Sequence, residues 1–288
     1  MDRATPPLER VPLDLPIDVQ RAGSGDPVIL LHGFGASRFT WRHWSPALSR
    51  THAVYLVDAR GCGASETKPG LDYGTASMAD DLTAMIRTLD LRRVTLVGHS
   101  LGGAVALLTI LRLMEMGEGD RVVRFVSVAG VAYPQGLPRV MKRLANPLLG
   151  RLFNLVSAKW IVRRVLRVIL VDPSLITQEM TLGYAEPLRS RSTRRALFDC
   201  VRNLEPADVD AQVRRYPTIR IPALLIWGDR DVVVPLHVGR RLEKDLANAR
   251  LVILGACGHV PPEEKPEETL RLVTDFLERT GARGSAAD

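Results

Sequence analysis

Residues 94–103 read VTLVGHSLGG and set one serine, Ser100, between a run of β-branched and aliphatic side chains and a pair of glycines. The apolar run 94–97 is short and bounded by glycine, which predicts a buried parallel strand rather than a helix. Residues 101–114, LGGAVALLTILRLM, are rich in Ala and Leu, which lose little freedom in a helix, although Val105, Thr109 and Ile110 dilute that preference. A strand that runs straight into a helix needs a sharp turn, in which the central residue is strained and its side chain is held above the sheet. Gly98 and Gly102 carry no Cβ, so strand and helix can approach closely on both sides of Ser100. This is the G-x-S-x-G nucleophile elbow in the strand–turn–helix setting that gives the motif meaning. The competing reading is a serine that merely caps a helix beside turn-forming glycines.

Working outward, strand-like runs recur at 28–33, 53–58, 122–130, 223–229 and 250–255, and helical segments at 40–49, 76–89, 101–115, 235–247 and 266–279 fall between most of them. That alternation predicts an α/β fold with a mostly parallel, doubly wound sheet. Residues 17–23 read as an antiparallel edge strand. The pattern breaks between 132 and 216, where six prolines, with Pro217 just beyond, punctuate helix-like stretches without a strand signal. The expected organisation is a core of residues 1–131 and 217–288 with a helical cap, 132–216, inserted between two strands. Ligands of open parallel sheets bind beyond the carboxyl ends of the strands, so such a cap would roof the site.

Composition narrows the class. With 288 residues, 46% of them hydrophobic, the chain can bury a large core. The start, MDRATPPLERVPLDLP, lacks an apolar signal core, and the longest charge-free stretch, residues 94–111, falls short of the roughly 20 apolar residues needed to cross a bilayer, so a cytoplasmic protein is expected. Cys62, Cys200 and Cys257 are odd in number and lack metal-ligand spacing, which argues against a disulfide framework or a zinc site. The net charge of +7 is concentrated: residues 131–220 hold 14 Arg and 2 Lys against 7 acids, a local +9, and the remainder sums to −2. No aromatic interleaving or nucleic-acid motif accompanies the excess, so nucleic acid is not an expected partner.

A serine hydroxyl is a weak nucleophile that needs a base within hydrogen-bond reach and an acid to orient that base. Of six histidines, His259 follows the last strand in GACGHVPPEEKP, a glycine-flanked loop able to lift an imidazole above the sheet edge. His99 adjoins the serine and cannot easily turn back onto it; His43, His52 and His237 sit in or near predicted helices. The acid should come from the loop WGDRDVVVP, which offers Asp229 and Asp231. Asp231 lies further into the loop and is the better candidate, whereas Asp229 could cap the turn or pair with Arg230. Two backbone N–H groups are needed for an oxyanion: that of Leu101, at a helix N-terminus, and that of Phe34 in HGFGAS, residues 32–37. GFGASR also faintly matches a dinucleotide fingerprint, but Arg38 stands where the third glycine belongs. With no P-loop and no H-E-x-x-H, neither cofactor nor metal is expected.

Together LLHGFGAS, DARGCGAS (58–65), VGHSLGG, WGDRDVVVP and GHVPPEEKP, in order from residue 30 to 266, resemble the α/β-hydrolase superfamily, in particular its bacterial esterase, lipase-like and haloperoxidase-like members. The chain order Ser100, Asp231, His259 is that of the superfamily. The resemblance implies that Asp231 and His259 complete a triad with Ser100, that Phe34 and Leu101 form the oxyanion hole, and that DARGCGAS is mainly structural. Haloalkane dehalogenases and epoxide hydrolases look similar but use aspartate at the nucleophile position, and dienelactone hydrolases use cysteine. The serine members implied include carboxylesterases, lactonases, carbon–carbon bond hydrolases, perhydrolases and acyltransferases; some proteins of this fold only sense a ligand. A carboxylic ester of short or medium acyl chain is the expected small-molecule substrate. Residues 148–171 of the cap mix large apolar side chains with cations, as expected of a helix covering a pocket. The same composition suits peripheral contact with a lipid surface, or an inward arginine that binds a substrate carboxylate.

Overall fold

The computed structural model describes residues 6–134 and 156–281. Strands β1 (Glu9–Arg10), β2 (Asp18–Ala22), β3 (Pro27–Leu31), β4 (Ala53–Asp58), β5 (Val94–His99), β6 (Val122–Val128), β7 (Ala223–Gly228) and β8 (Ala249–Leu254) form one sheet in the order β1-β2-β4-β3-β5-β6-β7-β8. From β4 to β8 every neighbouring pair is parallel, and β1 and β2 pair antiparallel at one side. The expected edge strand at 17–23 is therefore β2, one place in from the edge, because the two-residue β1 pairs with its outer side. So short a strand leaves no periodicity to read.

The described helices are α1 (Ser45–Leu48), α2 (Thr75–Thr88), α3 (Leu101–Glu115), α4 (Ala158–Ile169), α5 (Gln178–Ala185), α6 (Arg191–Arg202), α7 (Val209–Val213), α8 (Leu236–Asp245), α9 (Pro261–Glu264) and α10 (Pro266–Gly281). The helix expected at 40–49 is split into a 3₁₀ turn, Arg38–Trp41, and α1, which begins with Pro46 in its first turn. Proline has no N–H to continue a preceding helix and suits a first turn.

Alternation along the strands builds two cores. Val28 and Leu30 of β3, Val54 and Leu56 of β4, and Leu224 and Ile226 of β7 face Trp41, Trp44, Leu48, Val273 and Leu277. Ile29, Leu31, Tyr55, Val57, Leu225 and Trp227 face α2, α3 and α8. Both faces are covered by helices, which is why the parallel strands read as unbroken apolar runs.

Between β6 and β7 the described residues 156–218 are helical with no strand among them. Ala158, Val162 and Leu166 of α4 and Met180 and Tyr184 of α5 pack with Val260, Cys62 and, less buried, Phe34 and Phe39 of the core loops. Tyr184 Oη donates to Glu263 Oε1 at 2.7 Å, and the same carboxylate is gripped by Arg42, tying α5 to the core. The cap expected at 132–216 overlaps this segment; residues 135–155, and with them part of the 148–171 stretch, lie outside the described residues.

The sheet order also locates the site. The chain steps from β3 to β4 on one side and then to β5 on the other, so the topological switch point lies between β3 and β5. Phe34 follows the first of these strands and Ser100 the second, at the carboxyl ends where ligands of such sheets bind.

Candidate active site

Ser100 has φ 52° and ψ −119°, a conformation that costs a non-glycine residue on the order of 1–3 kcal/mol and persists only when surroundings enforce it. They do so through the backbone. Ser100 N–H donates to Val128 O at 3.0 Å, and Ser100 O accepts from Gly103 N at 2.9 Å and Val131 N at 2.9 Å. A Cβ on Gly98 would strike the Gly102 carbonyl, and one on Gly102 would strike that of Leu31. The serine side chain makes no capping hydrogen bond to α3, which removes the helix-cap reading.

Instead Ser100 Oγ lies 2.9 Å from His259 Nε2, and His259 Nδ1 lies 2.9 Å from Asp231 Oδ2. All three residues are buried. A carboxylate can only accept, so Nδ1 carries the proton and the Nε2 lone pair faces the hydroxyl. The other carboxylate oxygen, Asp231 Oδ1, accepts from Val233 N at 2.8 Å and Val234 N at 2.9 Å. Asp229 is exposed, and its Oδ1 accepts from Cys257 N at 3.2 Å. Hydrogen bonds from the Cys257 and Ala256 N–H groups hold its carboxyl below the ordinary range. Of the two aspartates left open by the sequence, the one brought to the imidazole is Asp231.

The base loop is held on several sides. His259 N–H donates to Ile169 O at 2.9 Å, at the end of α4. His99 Nε2–H donates to His259 O at 2.8 Å. Glu264 Oε1 accepts from Gly258 N at 2.9 Å, and its Oε2 accepts from Val171 N at 2.8 Å. His32 does comparable work on the opposite loop. Its Nε2 accepts from Ala59 N at 3.1 Å, so Nδ1 carries the proton and donates to Gly33 O at 2.8 Å. A trans peptide places its N–H opposite its C=O. Fixing the Gly33 carbonyl on the His32 side therefore turns the Phe34 N–H the other way, and a Cβ on Gly33 would come within 2.9 Å of Ser100 Cβ. Leu101 N–H, the first of α3, has no partner within its own helix.

Sequence reasoning missed His32, His99 and Glu264 as positioning groups. The flanking histidines in LLHG and GHS, and the carboxylates in PPEEKP, were the available signals. DARGCGAS is a hydrogen-bonded turn: Asp58 accepts from Arg38 N and Ala64 N, and Arg60 is bound to Asp81.

A cleft begins at Phe34 and Leu101 and runs to α6, walled by Leu31, Met78, Val105, Ala196 and Leu197. Cys62 and Cys200 also line it, and burial pushes the Cys62 thiol up to about 12, so it is not a competing nucleophile. Arg60 reaches the wall with its guanidinium held by Asp81 and by the Asp72 carbonyl.

Burial, reinforced by the nearby His259, lowers the His99 pKa from 6.5 to about 3, and burial also lowers that of His32. The unfolded chain therefore takes up these protons first. Stability is whole above 6.5 and drains away as the pH falls toward 3. At about pH 5 His99 alone removes about 2 kcal/mol, and His99→Gln abolishes that share of the loss. Urea unfolding of both proteins at neutral pH and at about pH 5 measures it; an equal loss in both would mean that His99 is not the group responsible.

Comparison with known proteins gives the family of the chain. Residues 28–272 match the model of the alpha/beta hydrolase family. The chain is 30% identical over 254 residues to the uncharacterized hydrolase YugF of Bacillus subtilis, covering 87% of this chain and 89% of that protein. It is 31% identical over 265 residues to the 2-hydroxy-6-oxo-2,4-heptadienoate hydrolase of Pseudomonas putida, covering 88% and 90%. Among solved structures, a meta-cleavage product hydrolase (CumD), determined as its A129V mutant, superposes with a TM-score of 0.76 at 26% identity, covering 91% of this chain and 94% of that one. Residues 28–272 take in the parallel strands β3 to β8 and all the loops that meet at Ser100, and this chain belongs to the alpha/beta hydrolase family of hydrolytic enzymes.

Proposed function

We propose that this hydrolase cleaves a bond to a carbonyl carbon of a small molecule through an acyl-enzyme on Ser100. The observation that carries the reading is the unbroken hydroxyl–imidazole–carboxylate chain, 2.9 Å at each link, beside two backbone N–H groups at the switch point. His259 Nε2 takes the Ser100 proton as Oγ bonds to the carbonyl carbon, and Asp231 stabilises the imidazolium. The carbonyl oxygen becomes an oxyanion held by the Phe34 and Leu101 N–H groups. Collapse breaks the bond to the leaving group, which receives the proton from His259. Water, deprotonated by the same imidazole, then releases the acid and restores Ser100.

The relatives favour carbon–carbon bond hydrolysis of ring-cleavage products over the ester expected from the motifs. The substrate in the Pseudomonas putida enzyme's name carries a 6-oxo group, an electrophile suited to this serine, and that protein is 31% identical over 265 residues. In such a reaction the leaving group is carbon, so proton delivery by His259 to the departing carbanion is part of bond cleavage. Ester hydrolysis is the second reading, favoured by the described cleft wall. A dienoate carboxylate needs a charged partner in a desolvated site, and the one guanidinium among the described lining residues, Arg60, is already paired.

Kinetics on a 2-hydroxy-6-oxo-dienoate and on p-nitrophenyl esters, with wild type and Ser100→Ala, separate the two. The ring-cleavage ketone is expected to give a kcat/KM about 100-fold above the esters, a margin large enough to exceed incidental acyl transfer. The reverse ratio replaces this reading by the second. Substrate binding without Ser100-dependent turnover of either class would make the protein a ligand sensor.

A further inference from the structure

Helix α4, Ala158–Ile169, has two faces of different chemistry. Ala158, Ile161, Val162 and Leu166 are buried toward the core loops. The outer face carries the exposed cations Lys159, Arg163, Arg164 and Arg167. Trp160, 58% exposed, stands among them and Val168, 67%, at their border, while Val165, 48% exposed, falls on the side of Ile161 and Ala158. Large apolar side chains this exposed on one short helix mark a contact surface. The Arg164 guanidinium lies 5.7 Å from the Trp160 ring centroid, so cation and indole form one patch. No Asp or Glu occurs between Asp120 and Asp172, so no neighbour in sequence offsets the charge.

We propose that the outer face of α4 is a docking surface for an anionic lipid bilayer. Four cations without an acid complement a polyanion. Trp160 and Val168 choose lipid over nucleic acid: a phosphate backbone would use the guanidiniums and leave Val168 in water. At a bilayer Val168 and the indole enter the boundary of the acyl chains while the guanidiniums reach the phosphates. At 12 residues, about 18 Å long, the helix suits lying in the interface plane. No helix among the described residues is long and apolar enough to cross a membrane, so the contact is peripheral. The docked helix ends at the base loop, because Ile169 O receives the His259 N–H at 2.9 Å. A bilayer on α4 therefore presents its lipids beside the cap that covers Ser100, whichever carbonyl substrate the enzyme takes.

The test is sedimentation of the full chain with vesicles of phosphatidylcholine alone or with about 30% phosphatidylglycerol, at low and high salt. Wild type is expected to partition at least about tenfold more strongly onto the anionic vesicles, with the difference lost at high salt. Each cation contributes about fivefold, so R163Q/R164Q/R167Q lowers that partitioning about 100-fold. Trp160→Ala lowers it about tenfold. Both variants keep wild-type melting temperature and turnover of a soluble substrate, because none of these side chains touches the site. Equal partitioning onto both vesicle types, unchanged binding by the triple variant, or binding of a duplex oligonucleotide in place of vesicles overturns the proposal.

Discussion

Under the proposed mechanism Ser100→Ala is expected to lower kcat by about 10⁶-fold, leaving only the rate supplied by binding and the proposed oxyanion donors. The size of the effect follows from the geometry. Ser100 Oγ stands 2.9 Å from the imidazole, and the cleft-lining Cys62 thiol remains protonated at neutral pH. Removing Oγ leaves His259 and Asp231 without a nucleophile to activate. Ser100→Gly separates chemistry from folding. It is equally inactive, but glycine accepts φ 52° and ψ −119° without a Cβ clash, so the variant gains about 1 kcal/mol of stability. Steady-state kinetics with urea unfolding of both variants checks this. More than about 1% residual activity in the alanine variant would require another nucleophile.

Asp231→Asn lowers kcat by about 10⁴-fold, and the hydrogen bonds around it give the reason. Val233 N–H and Val234 N–H both donate to Oδ1, so in the variant the amide oxygen takes that position and its NH₂ faces His259 Nδ1. Nδ1 must then accept, the imidazole proton moves to Nε2, and the ring can no longer take the Ser100 proton. Asp229→Asn changes kcat less than about threefold, because an amide oxygen still accepts from Cys257 N–H and the side chain is exposed. Parallel kcat measurements decide between them, and a crippled Asp229 variant beside an active Asp231 variant would reverse the assignment of the acid.

Much of the molecule was legible before any coordinates. The buried strands announce themselves as unbroken apolar runs because helices cover both faces of a parallel sheet, and the elbow is written within five residues because its sharp turn admits glycine on both sides of the serine. The split of the 40–49 helix was not foreseen, although Pro46 was in view, because the 3₁₀ turn before it leaves only a weak apolar period. The two-residue β1 carried no pattern at all. Histidines were the hardest residues to rank. His99 adjoins the serine in sequence, yet its ring reaches a carbonyl 160 residues away and holds the His259 loop in place.

What the sequence by itself determined is what short-range physics encodes: the strand and helix periods, the strained turn at Ser100, the proline-punctuated insertion and the chain order of three reactive side chains. Tertiary structure alone decided which partners meet. Asp231 rather than Asp229 faces the imidazole, His32 turns the Phe34 peptide, and the end of α4 closes over the His259 backbone. Those choices depend on sheet order and on loops that converge from up to 90 residues apart, and a hydrogen bond is made or lost over less than an ångström, a distance that no local pattern of residue types resolves.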